Sequence, residues 1–197
     1  MEAAQSYEIT GLDLSGTEYT VEQTGKDKNF RPEYEAEDVT GDTIFRCTHQ
    51  MYEENDTFPF VDENGNELLT VEASSAIDIA GDYVLTDSHT GEDIVVLDND
   101  LSLLQDTWRI RDAEDESLLA TIASRGGLVT AGRKLLPAGQ FIGHRYEITD
   151  SEGTAVGTIE SDFAIQDQYE ITISDSSSIP VGPIVVGTVV IDAIQDT

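Results

Sequence analysis

The sequence predicts an all-β protein of one domain, in which about a dozen antiparallel strands, laid down as successive hairpins, close into a barrel. Three observations carry this. Short runs of alternating apolar and polar residues are broken by acid-and-glycine turns. The breaks recur: Asp13, Asp38, Asp62, Asp87 and Asp112 are 25, 24, 25 and 25 residues apart, and Asp150 and Asp175 are again 25 apart. Around them, segment after segment carries an aromatic residue and, two positions on, an apolar one, which puts both on the same face of a strand.

The turns come first in the argument because their chemistry is local. Asp13-Leu-Ser-Gly16, Asp38-Val-Thr-Gly41, Asp62-Glu-Asn-Gly65 and Asp150-Ser-Glu-Gly153 share the pattern D-x-x-G. Asp87-Ser-His-Thr-Gly91 has one insertion, and Asp112-Ala-Glu-Asp-Glu116 lacks the glycine. An aspartate carboxylate accepts hydrogen bonds from backbone N–H groups two residues on, and glycine supplies the positive φ that closes a hairpin. Asp62 to Asn66 resembles a calcium loop only superficially. Its twelfth position is Ala73 rather than Glu, its glycine is misplaced, and no helix flanks it.

The strands follow from the turns. Tyr7-Glu-Ile9 leads into the first and Tyr19-Thr-Val21 leads out. Phe58-Pro-Phe60-Val61 precedes Leu68-Leu-Thr-Val71, Tyr83-Val-Leu85 precedes Ile94-Val-Val-Leu97, and Trp108-Arg-Ile110 precedes Leu118 to Ile122. Tyr146-Glu-Ile148 precedes Ala155 to Ile159, and Tyr169-Glu-Ile-Thr-Ile173 is a last strand without a hairpin mate. A meander of this many strands removes its exposed edges by closing on itself.

The pattern then breaks. Ile179 to Ile194 is apolar on every side, with no acid before Asp192. Its Val and Ile content alone suggests a buried strand, whereas the preceding serines and Pro183 suit the opening of a helix. A helix apolar all round must be enclosed. Here the aromatic-x-Ile-x-Asp-x-x-Gly hairpin from Tyr146 to Gly153, the strand from Tyr169 and the apolar segment ending in Ile191-Asp192 together resemble one family. It is the LURP-one-related branch of the Tubby C-terminal-like superfamily, with the phospholipid scramblases as more distant relatives. The resemblance is strongest from Trp108 onward and implies one domain over residues 1–197, a roughly twelve-stranded barrel wrapped around a hydrophobic C-terminal helix at about 181–194. Scramblases carry an acidic segment, proposed to bind calcium, before that helix. The matching stretch here, Ser174 to Ile179, holds one carboxylate, Asp175, which argues against calcium-dependent lipid scrambling.

Charge narrows the setting. Forty acidic residues stand against ten basic ones, a net charge of −30, with three lysines (Lys26, Lys28, Lys134) and seven arginines. The carboxylates are interleaved with apolar residues, so they do not form an acidic tail. The composition favours adaptation to a cytoplasm of molar salt, where screening removes self-repulsion. The chain is read as cytoplasmic and halophilic, with no nucleic-acid partner. A single cysteine, Cys47, excludes an internal disulfide. The apolar run from Ile179 is shorter than the roughly 20 residues that span a bilayer, so no transmembrane segment is expected.

No catalytic apparatus, metal centre or cofactor site is predicted. Nucleophile-elbow, P-loop and zinc-helix motifs are absent from the sequence. His49 and Cys47 are two apart on a strand, His89 sits in a turn and His144 adjoins Arg145, and none of these makes a cluster. One stretch departs from the acidic background. Between Ser117 and Tyr146 there is no acid, and Arg125, Arg133, Lys134 and Arg145 lie there among glycines. The leading reading is structural, strands and loops that answer acids elsewhere. The alternative is an anion or phospholipid-headgroup site, since the resemblance to Tubby relatives implies phosphoinositide binding through basic residues. The leading expectation is a non-enzymatic scaffold with an unknown protein partner. The charge reading generates a direct test: the thermal midpoint should rise steeply from low-salt buffer to molar KCl, followed by circular dichroism. A midpoint indifferent to salt would sink the salt-adaptation reading.

Overall fold

A computed structural model of the chain describes residues 7–51, 56–74, 82–101, 106–124, 145–162 and 168–195. In chain order the strands are β1 (Glu18–Lys26), β2 (Pro32–Asp38), β3 (Thr43–Thr48), β4 (Gln50–Met51), β5 (Asp56–Val61), β6 (Glu67–Ala73) and β7 (Tyr83–Asp87). They continue as β8 (Asp93–Leu101), β9 (Asp106–Asp112), β10 (Leu118–Ser124), β11 (Arg145–Asp150), β12 (Ala155–Asp162) and β13 (Gln168–Ile173), and the chain ends in helix α1 (Val181–Gln195). Pairing is antiparallel and almost entirely sequential. β1 returns to pair with β13, and β3 pairs with β5, so twelve strands close into a barrel with the two-residue β4 attached to β5.

Strand alternation places the predicted side chains inside. Phe58, Phe60, Tyr83, Leu85, Trp108, Ile110, Tyr146, Ile148, Tyr169 and Ile171 are all buried. So are Tyr34 and Ala36 on β2 and Phe45 and Cys47 on β3, two strands that flank the Asp38 turn. α1 occupies the space they enclose. Ile184, Val185, Val186, Val189 and Val190 are fully buried, and successive residues of a helix point about 100° apart, so barrel wall surrounds the helix. Each such side chain contributes roughly 1.5–3 kcal/mol of hydrophobic stabilisation. That enclosure overrides the strand propensity of the segment. Thr188 is satisfied within the helix, its hydroxyl donating to the Ile184 carbonyl at 3.0 Å.

The aspartate turns are built as their chemistry predicts, and all five that join strands lie at one end of the barrel. Oδ1 of Asp62 accepts from the N–H groups of Asn64 and Asn66, both at 2.8 Å, and Oδ1 of Asp150 accepts from Glu152 and Thr154. Oδ1 of Asp38 likewise accepts from Thr40 and Asp42. Hydrogen bonds from the Thr40 hydroxyl and backbone hold the Asp38 carboxyl below its usual range. Gly41, Gly65 and Gly153 all sit at φ 82°. In the turn without glycine, Glu116 itself adopts φ 61°.

The first segment corrects the expectation. Tyr7–Ile9 is no strand, and the Asp13 turn joins no hairpin. Residues 7–16 instead form a strap across the turn end. The Tyr7 hydroxyl donates to Asp112 Oδ2 at 2.7 Å, the Thr10 N–H donates to Asp87 Oδ2 at 2.8 Å, and Ile9 is buried over the start of α1. Aromatic-x-apolar spacing marks a buried face, and a strap that seals a core satisfies it as well as a strand does. At Gly182 a Cβ would lie 3.2 Å from Ile9 Cδ1, so a larger residue there would make the strap's side chain give by a few tenths of an ångström.

Backbone strain at the turns is separable from packing, because a Cβ at Gly65 would meet nothing within 4 Å. Gly65→Ala should therefore cost about 1–2 kcal/mol through φ alone. Glu116→Gly should hold or raise stability by up to about 1 kcal/mol, strain relief being partly offset by the freer unfolded chain. Chemical denaturation in molar KCl measures both. A Gly65→Ala variant as stable as the parent would refute the account.

Candidate functional site

The barrel has two unlike ends. β2, β5, β7, β9, β11 and β13 all run from the far rim, opposite the aspartate turns, toward the turn end. On each, the first buried inward position is aromatic: Tyr34, Phe58, Tyr83, Trp108, Tyr146 and Tyr169. The six form a girdle around the C-terminal half of α1. Ring contacts link part of it, with Phe58 and Tyr83 edge to face at a centroid distance of 6.1 Å and Tyr83 and Trp108 tilted at 6.1 Å. Burial, with a smaller contribution from Asp56, pushes the Tyr83 phenol up to about 12.

Polar groups are set into this girdle. Asp192, near the C-terminus of α1, is buried and accepts a hydrogen bond from the Tyr169 hydroxyl. The carboxyl group there lies near the negative end of the helix dipole, which disfavours its ionised form, and the phenol supplies it with a hydrogen bond. Asn99 and Ser124 are buried on β8 and β10. His49, fully buried just past β3, stacks on Phe58 with centroids 4.4 Å apart and planes 5° apart. Its Nε2 lies 3.4 Å from Asp56 Oδ1, outside hydrogen-bond geometry. Burial lowers the His49 pKa, against the attraction of Asp56. Cys47 is buried, and its thiol is pushed well up by desolvation, which leaves it inert.

Of the four basic residues singled out by sequence, Arg125, Arg133 and Lys134 lie outside the described residues. Arg145 opens β11 at the far rim, directly across from Glu160, and its guanidinium is 2.8 Å from that carboxylate. Both side chains are about half exposed, so the pair contributes at most about 1 kcal/mol, and its charge is already answered. Sequence reasoning missed the Tyr169–Asp192 contact. Each residue was legible alone, but nothing local says that they meet 23 positions apart.

The turn end offers a different concavity of about 890 Å³, between the strap and the start of α1. Among the described residues its only charged lining groups are Glu8 and Asp13, which suits neither a phosphate nor a carboxylate ligand. Among the described residues, no group of three or more His, Cys, Asp or Glu side chains is arranged to hold a metal ion, and no helix is long and apolar enough to cross a membrane.

His49 gives a pH prediction whose sign is fixed by its burial. Its folded pKa lies below the ordinary 6.5, so the unfolded chain takes up the proton first as pH falls. Stability is fully present above about 6.5 and should decline as pH drops from there toward the lower folded value. His49→Phe, which keeps a ring against Phe58, should flatten that decline in thermal melts at a series of pH values. An unchanged slope would show that His49 does not carry it.

A family model described as LURP-one-related matches residues 43–192, well over half of the chain, from the start of β3 to Asp192 in α1. A search of the curated proteins found no match. The closed barrel, the enclosed C-terminal helix and the extent of that match lead to one conclusion: the chain belongs to the LURP-one-related family.

Proposed function

We propose that the protein is a non-enzymatic scaffold or binding module of a salt-rich cytoplasm, acting on a protein partner through its outer surface and the loop ends of its barrel. The observation that carries this reading is the enclosure of α1. Ile184, Val185, Val186, Val189 and Val190 are 0% exposed, so the axis of the barrel is filled by its own chain and recognition falls to the outside. Family membership is compatible with this reading and specifies no activity.

A second reading is favoured by one specific observation, the acid-free stretch from Ser117 to Tyr146 in a chain of net charge −30. It makes the protein a peripheral binder of phospholipid headgroups or other anions through Arg125, Arg133, Lys134 and Arg145. The Arg145–Glu160 pair weighs against it, because that cation already has a carboxylate. At 1 M salt the screening length is about 3 Å, so these side chains would act only by direct contact.

Charge reversal separates the two. The variant carrying Arg133→Glu and Lys134→Glu should bind a protein partner as the parent does, when cross-linked in molar KCl and competed with free chain. It should also leave any flotation with anionic vesicles unchanged. Loss of vesicle binding in this variant, with its melt unaltered, would overturn the scaffold reading in favour of the second.

A further inference from the structure

We propose that the tip of the β1–β2 hairpin, residues 26–31, is a docking point for an anionic lipid surface, with Phe30 as its apolar anchor and Lys26 and Lys28 as its cationic flank. This goes beyond the reading above and does not draw on Arg125, Arg133 or Lys134.

The tip is an aspartate turn in disguise. Asp27 N–H donates to the Arg31 carbonyl at 2.9 Å, Phe30 N–H donates to the Asp27 carbonyl at 2.9 Å, and Asp27 Oδ1 accepts from the N–H groups of Asn29 and Arg31. The Asp62 turn repeats this bond for bond: Asp62 to the Asn66 carbonyl, Gly65 to the Asp62 carbonyl, and Asn64 and Asn66 to Oδ1. Where that turn, the Asp38 turn and the Asp150 turn have glycine at φ 82°, this one has Phe30 at φ 63°. An aromatic side chain in the left-handed region is strained, and Phe30 gains no packing in return, for it is 81% exposed. It is the most exposed large hydrophobic residue among those described. Neither the strain nor the exposure serves the fold, so an external contact is the remaining use for the side chain.

The surrounding charge identifies the partner. The Arg31 side chain binds back on Asp27, with Nε at 2.8 Å and Nη2 at 2.6 Å from Oδ2, so these two charges cancel and brace the turn. Arg46, Arg109, Arg111 and Arg145 are likewise paired with carboxylates. Lys26 and Lys28 are exposed and make no ion pair among the described residues, in a chain where acids outnumber bases four to one. The acid-rich turns at Asp38, Asp62, Asp87, Asp112 and Asp150 lie at the opposite end of the barrel. A second apolar group stands on the same rim. Met51, 49% exposed, ends β4, beside the hairpin's return strand, where His49 N–H donates to the Pro32 carbonyl.

The size of the patch favours a bilayer over a protein. A stable protein interface takes about 20–30 residues a side. A projecting aromatic flanked by lysines is enough to enter the headgroup region of an anionic membrane, where apolar insertion and charge attraction add.

The test is flotation of the full chain in KCl with vesicles of phosphatidylglycerol mixed into phosphatidylcholine, against phosphatidylcholine alone. The key variant is Phe30→Gly, which restores the residue of the sister turns and so should melt no lower than the parent. Expected are flotation of the parent with the anionic vesicles only, a loss of roughly tenfold or more in Phe30→Gly for one lost aromatic anchor, and a several-fold loss when Lys26 and Lys28 are both changed to Gln. Val39→Ser, at an exposed apolar residue of the turn end, should float as the parent does. A parent that does not float, or a Phe30→Gly variant that floats equally, overturns the proposal. So does self-association of the chain that requires Phe30 and occurs without vesicles, which would assign the tip to a second copy. Flotation that is abolished by Arg133→Glu with Lys134→Glu but survives Phe30→Gly would also overturn it, while upholding the second reading of the function.

Discussion

The enclosure of α1 is the constraint on which the rest of the molecule depends. A helix with Ile184 to Val186 and Val189 to Val190 all fully buried has no face to give to water, so an open sheet cannot accommodate it. The sheet must close, and closure is what the β1–β13 and β3–β5 pairings accomplish. Once the wall is continuous, every strand needs an apolar inner row, which fixes the in-out alternation and leaves the outer row free for carboxylates. Gly157 shows how close the tolerances become: a Cβ there would lie 2.5 Å from the Thr172 carbonyl oxygen of the neighbouring strand. The ends of the cylinder remain, and the chain treats them differently. The turn end is sealed by aspartate turns and the strap, and the far rim is lined by aromatic side chains.

How much of this was legible in the sequence depends on whether the deciding physics was local. The Asp38, Asp62, Asp87, Asp112 and Asp150 turns could be read directly because an Asx hydrogen bond spans two to four residues. The helix could not. Val185, Val186, Val189 and Val190 prefer strands on their own; the preceding serines and Pro183 suit a helix opening, and resemblance to a family decides for an enclosed helix. The strap was misassigned because Tyr7 and Ile9 carry a strand's spacing without a pairing partner. The Asp27 turn escaped because glycine is the signal by which such a turn is recognised, and Phe30 stands in its place. For the basic stretch, types and spacing were plain, but the Glu160 that answers Arg145 comes from another strand.

The two departures at non-glycine left-handed residues repay comparison. Glu116 and Phe30 both occupy turn positions that suit glycine, at φ 61° and 63°. Glu116 is a charged residue on a solvated turn, where replacing glycine adds strain but no exposed apolar surface. Phe30 adds both. In a chain with seven aromatic residues per hundred, nearly all the described ones are buried in the core, and the one at the hairpin tip is not. A cost of two kinds at one position is harder to attribute to drift than a cost of one kind.

Net charge is therefore a poor guide to what this surface meets. A chain at −30 should be repelled by any anionic partner if its charge were spread evenly, yet five of the aspartate turns lie at one end, and Lys26 and Lys28, with no ion pair among the described residues, lie at the other, where Asp27 and Glu160 are each paired with an arginine. Salt sharpens this distinction. With a screening length of about 3 Å at 1 M, the carboxylates of the turn end are many screening lengths from a surface touching the far rim. Only charges in contact then count. Apolar burial suffers no comparable screening, so on the proposal above the balance at the tip would shift toward Phe30 and Met51 as salt rises. On the proposal above, the screening that in molar salt would relieve the self-repulsion of the acidic barrel would also let one end of it approach an anionic surface despite the charge of the whole.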